Sequence, residues 1–267
     1  MRMKTLIRPL MIAGSFGWFL SSCANAPAPI DAAPMMDASG IVTAGNRSEE
    51  MVRKKSRSGI ATGWGREVGS PMTYTDFKRA SDQPIHLTTI RYNDKEGAKQ
   101  MGVDFSTKGS GLQKAAGGLI EWGMAGGWGT LDNYWWRGGR FVIGKKGRDY
   151  ELKIRNLSNV RLEAVMSVDG LDVIDGTSAS TKKRGYIVSP GQTVVVKGFR
   201  TSTDAVASFK FSSVSSSYAN LKHGNTRNVG VIGLALFSEK GSTPWADANQ
   251  RGNARAFAES PNIRARD

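Results

Sequence analysis

Cysteine and histidine are nearly missing from this 267-residue chain, which holds one of the former, Cys23, and two of the latter, His86 and His223. A single thiol excludes an intramolecular disulfide framework and a thiolate metal cluster. Two imidazoles leave little for histidine-based catalysis. Long apolar runs are missing too, apart from one near the N-terminus, and that excludes a polytopic membrane protein. Acidic charge is scarce: 37 Lys and Arg face 23 Asp and Glu, a formal +14. What is present is a chain long enough for one sizeable core or two small ones.

The N-terminus carries the most specific signal. Arg2, Lys4 and Arg8 form a positive region, Leu10 to Leu20 is apolar apart from Gly14, Ser15 and Gly17, and Leu20-Ser21-Ser22-Cys23 closes the run. Eleven residues are too few to cross a bilayer as a helix, so the run reads as the apolar part of an export signal. The closing tetrapeptide resembles the lipobox of bacterial lipoproteins. That resemblance implies cleavage after residue 22 and acylation of Cys23, palmitate included. Acyl chains contribute about 0.8 kcal/mol per buried methylene, enough for a permanent membrane anchor. Ala24 follows the cysteine, where an aspartate would resemble the inner-membrane retention signal, so the outer membrane is the expected destination.

Removing residues 1–22 takes away three basic residues and no acidic ones, which leaves the mature chain at +11. In an exported protein such a surplus points to lipid headgroups or acidic envelope polymers rather than nucleic acid. Residues 23–58 read as an acylated, flexible tether, with Ala26-Pro27-Ala28-Pro29 and Pro34 favouring extended backbone. Near its end Arg53, Lys54, Lys55 and Arg57 form a basic cluster suited to an anionic surface.

The rest of the chain predicts a mainly β protein: a C-terminal antiparallel β-sandwich or jelly roll over 140–240, with a smaller β-rich segment over 59–108. In that smaller segment Met72–Thr75 and Ile85–Tyr92 predict two paired strands around the turn Asp82-Gln83-Pro84, and Asp94–Met101 a short capped helix. Residues 109–139 hold ten glycines and the tryptophans Trp122, Trp128, Trp135 and Trp136. So much glycine predicts a loop rather than regular strands. From Arg148 to Arg155 the chain alternates strictly, with Tyr150, Leu152 and Ile154 on one face and Glu151, Lys153 and Arg155 on the other. Leu162–Val168 keeps that period up to the turn pair Asp169-Gly170, and strands are expected again at 185–188, 193–196, 205–211 and 229–237. The last of these is apolar on both faces and reads as a central strand. Residues 241–267 read as a polar tail.

The strings SVDGLDVIDG, RGYIVSPGQ, GFRTSTDAVASFKF, SSSYA and NVGVIGLALF resemble a module of uncharacterised exported proteins of Gram-negative bacteria. The resemblance spans residues 140–240; the family it points to has no assigned enzymatic activity, so it supplies no catalytic residues.

Tests for chemistry are unproductive. Asp169, Asp172 and Asp175 do not have the i, i+2, i+4 ligand spacing of a calcium loop, and they sit where turns need them. Gly144-Lys145-Lys146-Gly147 lacks the remainder of a phosphate-binding loop, and no Gly-x-Ser-x-Gly elbow exists. Glu121, Glu151 and Glu163 lie in no motif. No catalytic residue, metal or cofactor is expected. The leading expectation is a structural or interaction module on the envelope, with membrane contact through Cys23 and unknown protein partners. The alternative is a glycan-binding module using Trp122, Trp128, Trp135 and Trp136, since indole faces match the apolar faces of pyranoses; a hydrolase with an unmarked site is the third reading.

Overall fold

A computed structural model describes residues 57–244. The chain divides into two units, Met1–Val42 and Thr43–Asp267, and the described residues belong to the second. Cys23, Arg53, Lys54 and Lys55 lie outside the described residues.

Fifteen strands follow in chain order: β1 (Ile60–Gly69), β2 (His86–Asn93), β3 (Gln113–Ala115), β4 (Ile120–Gly126), β5 (Gly129–Thr130), β6 (Asn133–Trp136), β7 (Gly139–Ile143), β8 (Asp149–Asn156), β9 (Leu162–Val168), β10 (Leu171–Asp172), β11 (Tyr186–Val188), β12 (Thr193–Val196), β13 (Gly198–Arg200), β14 (Ala205–Ser213) and β15 (Val231–Ser238). Two single-turn-and-a-half helices accompany them, α1 (Lys95–Gln100) and α2 (Tyr218–His223). The strands form an eight-stranded sheet, ordered β1-β14-β8-β4-β3 with β5, β12 and β13 alongside, and a seven-stranded sheet, ordered β10-β9-β15-β2-β7-β6 with β11 alongside. Neither closes into a barrel. The protein is therefore mainly β and sandwich-like, as its alternation predicts. Pairing is antiparallel except between β2 and β7, which run parallel.

The core fills the space between the sheets. Tyr150, Leu152 and Ile154 of β8 are buried inward, while their alternates Glu151, Lys153 and Arg155 face out. In the other sheet β15 lies between β9 and β2. Its Ile232, Leu234 and Leu236 enter the main core, and Ala235 and Phe237 pack with Val165 in a second cluster on the opposite face. That is the doubly covered central strand expected from its sequence.

Two expectations need correction. Met72–Thr75 forms no strand; Ser70 N and Met72 N instead donate to Asp204 O and Thr203 O, and β2 pairs with β15 and β7. Met72 and Tyr74 could make only a two-residue apolar face, and Tyr74 stays exposed, whereas β15 offers a long buried face, and long-range pairing decides. The glycine-rich 109–139 stretch also contains regular strands, β3 to β6. Its longest, β4, pairs along β8 from Ile120↔Asn156 to Ala125↔Glu151, so a regular neighbour supplies the order that glycine alone does not. Asp94 caps α1 as predicted, its Oδ1 accepting from Gly97 N at 2.7 Å.

Glycine is required where β13 runs against β14. A Cβ on Gly198 would lie 1.9 Å from Ala207 O, so only glycine lets β13 approach β14 this closely.

Candidate functional site

The four tryptophans of the 109–139 stretch do not converge. Trp122 points inward from β4 and is 2% exposed. Trp136 packs edge-on to Phe141 beneath α1 and donates its indole N–H to Met101 O at 2.9 Å. Trp135 is half exposed and faces a cleft at the edge of the sandwich. Trp128 is fully exposed at the tip of the hairpin that joins β4 to β5.

That hairpin is Gly126-Gly127-Trp128-Gly129, and Gly129 takes φ +112°, a conformation that only glycine adopts without strain. Beside it lies a cleft of about 600 Å³. Leu131, Ile143 and Phe211 give the cleft an apolar floor, and Lys145, Arg148 and Lys210 give it charge, against the single carboxylate of Asp149. Two of these cations sit on the tight turn between β7 and β8, closed by Arg148 N to Lys145 O at 3.0 Å and by Gly147 at φ +85°. The Gly-Lys-Lys-Gly string is thus a turn that presents positive charge next to an exposed indole. On the other side of the hairpin a smaller cleft of about 390 Å³ adds Arg66, Lys153 and Lys197. Arg66 and Lys153 are engaged by Asp149 at 3.9 Å and Glu151 at 3.1 Å. Among the described residues Lys145, Arg148, Lys197 and Lys210 form no ion pair. Residues 57–244 hold 26 of the 37 Lys and Arg but 16 of the 23 Asp and Glu, so most of the positive surplus belongs to the sandwich.

The other candidates are built into the fold. Arg57 is exposed and donates to Thr226 O at 2.7 Å. The Asp169 carboxylate accepts from Thr62 N at 2.7 Å, Gly230 N at 2.9 Å and Tyr92 Oη at 2.6 Å. Burial lifts its pKa to about 6, against the lowering effect of those donors. Burial, followed by the nearby Asp169 charge, raises the Tyr92 and Tyr150 phenols well above their usual value. Asp172 closes its own turn by accepting from Ile174 N and Asp175 N, and Asp175 accepts from Lys183 Nζ at 2.7 Å. Glu121, Glu151 and Glu163 face Arg155, Lys153 and Arg79 respectively. His223 is exposed, its Nε2 3.0 Å from Gly176 O, and His86 lies on β2. Among the described residues no group of three or more His, Cys, Asp or Glu is placed to hold a metal ion, and no helix is long and apolar enough to cross a membrane.

Sequence reasoning found Trp128 but missed Lys145, Arg148 and Lys210 as its neighbours. Lys210 reaches the hairpin only because β14 pairs with β8 through Lys210↔Asp149. Comparison of the chain with protein-family models, with curated proteins and with solved structures finds no match in any of the three.

Proposed function

We propose that the protein is an exported lipoprotein, anchored through acyl chains on Cys23 at the periplasmic side of the outer membrane, and that its sandwich is an interaction module for anionic envelope surfaces. The observation that carries this reading is Trp128, fully exposed on a glycine hairpin beside Lys145, Arg148 and Lys210, which form no ion pair among the described residues. Tryptophan favours the headgroup level of a bilayer, and each lysine or arginine near an anionic surface contributes about 1 kcal/mol. The tether and its Arg53-Lys54-Lys55-Arg57 cluster would keep the module at high effective concentration over that surface. The two carboxylates of this stretch do not oppose the contact, because Glu121 faces Arg155 at 3.5 Å and Asp132 faces Lys108 at 2.8 Å.

The test is sedimentation of the unacylated mature chain with phosphatidylglycerol vesicles and with phosphatidylcholine vesicles. Binding to the anionic vesicles alone, weakening with salt, is expected. Trp128→Ala and the triple change Lys145→Ser, Arg148→Ser, Lys210→Ser should each remove most of it. Equal binding to neutral vesicles, or binding that survives the triple change, overturns the reading.

A further inference from the structure

Strand pleating decides which side chains face the core, and along one end of the seven-stranded sheet it turns polar residues inward. On β2 the buried Ile90 and Tyr92 fix the inner face, which places His86 and Thr88 on that same face. Parallel pairing aligns Arg140 of β7 with Ile90, and antiparallel pairing aligns Trp135 of β6 with Arg140, so both of these also face inward. From the opposing sheet Gln113 of β3, paired with the buried Trp122, faces the same space. Apolar side chains are expected at such positions, and a polar set there departs from the local rule in the way functional sites do.

These residues line an open cleft of about 590 Å³ at the mouth of the sandwich, and among the described residues no aspartate or glutamate lines it. The Arg140 guanidinium lies over the Trp135 ring, 5.5 Å from its centroid, and one of its N–H groups donates to Asn133 Oδ1 at 3.2 Å. Both contacts orient the fork and leave donors unused, since a guanidinium carries five. Arg140 forms no ion pair among the described residues.

We propose that this edge cleft is a binding site for an acidic saccharide, a pyranose carrying a carboxylate. Trp135, half exposed, offers an apolar platform to the C–H face of the ring. Arg140, held beside the platform, takes the carboxylate through two parallel hydrogen bonds. Thr88, His86 and Gln113 supply donors and acceptors for hydroxyls. With no carboxylate among its described lining residues, the cleft admits the anion without like-charge repulsion. The site shares no lining residue with the clefts beside Trp128.

The test is titration calorimetry of the unacylated mature chain with trigalacturonic acid and with neutral galactotriose. Binding of the acid with Kd about 1 mM or tighter is expected, with the neutral sugar at least about tenfold weaker. Arg140→Gln should abolish the preference for the acid, Trp135→Ala should weaken both sugars, and Trp128→Ala should change neither. Arg140→Gln preserves an amide donor for Asn133, and circular dichroism checks that each variant is folded. No binding of the acid, equal binding of the two sugars, or loss of binding in Trp128→Ala overturns the proposal. Vesicle binding by the Arg140→Gln chain should be unchanged, so failure here leaves the surface contact of Trp128 separately judged.

Discussion

Tyr92 donates its phenolic hydrogen to Asp169 Oδ1 at 2.6 Å inside the sandwich, and this bond is one end of a chain that ties the two sheets together. Thr62 Oγ1 lies 2.7 Å from Tyr92 Oη and 2.5 Å from Tyr150 Oη. With Tyr92 committed to the carboxylate, the chain runs Tyr150 to Thr62 to Tyr92 to Asp169, each hydroxyl donating to the next. Tyr150 and Thr62 belong to one sheet, Tyr92 and the β9–β10 turn that carries Asp169 to the other. A buried polar network of this kind is favourable only when every member is satisfied, and here the carboxylate accepts three donors.

Asp169→Asn should destabilise the protein by about 1–3 kcal/mol, because one carboxylate oxygen becomes an NH2 facing a donor. Asparagine tolerates the positive φ of 54° at this position, so the backbone is not the cause. The effect should depend on pH. The folded carboxyl titrates at about 6, above its ordinary 3.8, so the folded state binds more protons between these values and the stability contributed by Asp169 falls as pH rises through that window. Urea titrations at several pH values should show the gap between wild type and Asp169→Asn widening from neutral pH toward pH 4.

Ile232→Asp should leave the domain unfolded. Ile232 is fully buried near the start of β15, between Val168 and Ile90 of the flanking strands, and an unpaired charge there costs several kcal/mol. Ile232→Val should cost only about 0.5–1.5 kcal/mol and keep the β-type circular dichroism spectrum.

Arg79 fastens a surface strap. It pairs with the nearly buried Glu163 at 2.6 Å, donates to Thr181 O and Lys183 O, and lies over the Phe237 ring at 3.7 Å, while Glu163 also accepts from Gly185 N. Arg79→Gln leaves Glu163 without its cation, which costs about 3–5 kcal/mol for a buried pair. The strap contains Lys182, Lys183 and Arg184, so limited trypsin digestion should nick it faster in the variant than in wild type. Unchanged cleavage there would show that the strap is held by something else.

Cys23→Ala tests the anchor. The native protein should fractionate with membranes and carry the added mass of its acyl chains, and the variant should lose both. An unacylated native protein, cleaved at another position, would remove the lipoprotein reading while leaving the sandwich untouched.

The alternation of Tyr150, Leu152 and Ile154 was legible in the sequence because a strand with one wet face must repeat every two residues. So was β15, where two apolar faces require cover on both sides, and so was the cap of α1, where Asp94 supplies a missing acceptor to Gly97 N. These are local demands, satisfied within a few residues.

Pairing partners were not legible. Nothing near Ile85–Tyr92 announces that its neighbours are β15 and β7, and the choice fell to the tertiary structure because strand pairing is settled by burial over long separations. The same physics scattered the four tryptophans. One stretch of sequence fixed their number and their glycine surroundings, but the pleat and the register sent Trp122 into the core, Trp136 under α1, Trp135 to the mouth of the sandwich and Trp128 into solvent. Sequence alone therefore determined the β character and the basic surplus. Only the fold decided which indole stands beside Lys145, Arg148 and Lys210 and which lies against Arg140, since those neighbours arrive from strands that are distant in the chain and adjacent in the sheets.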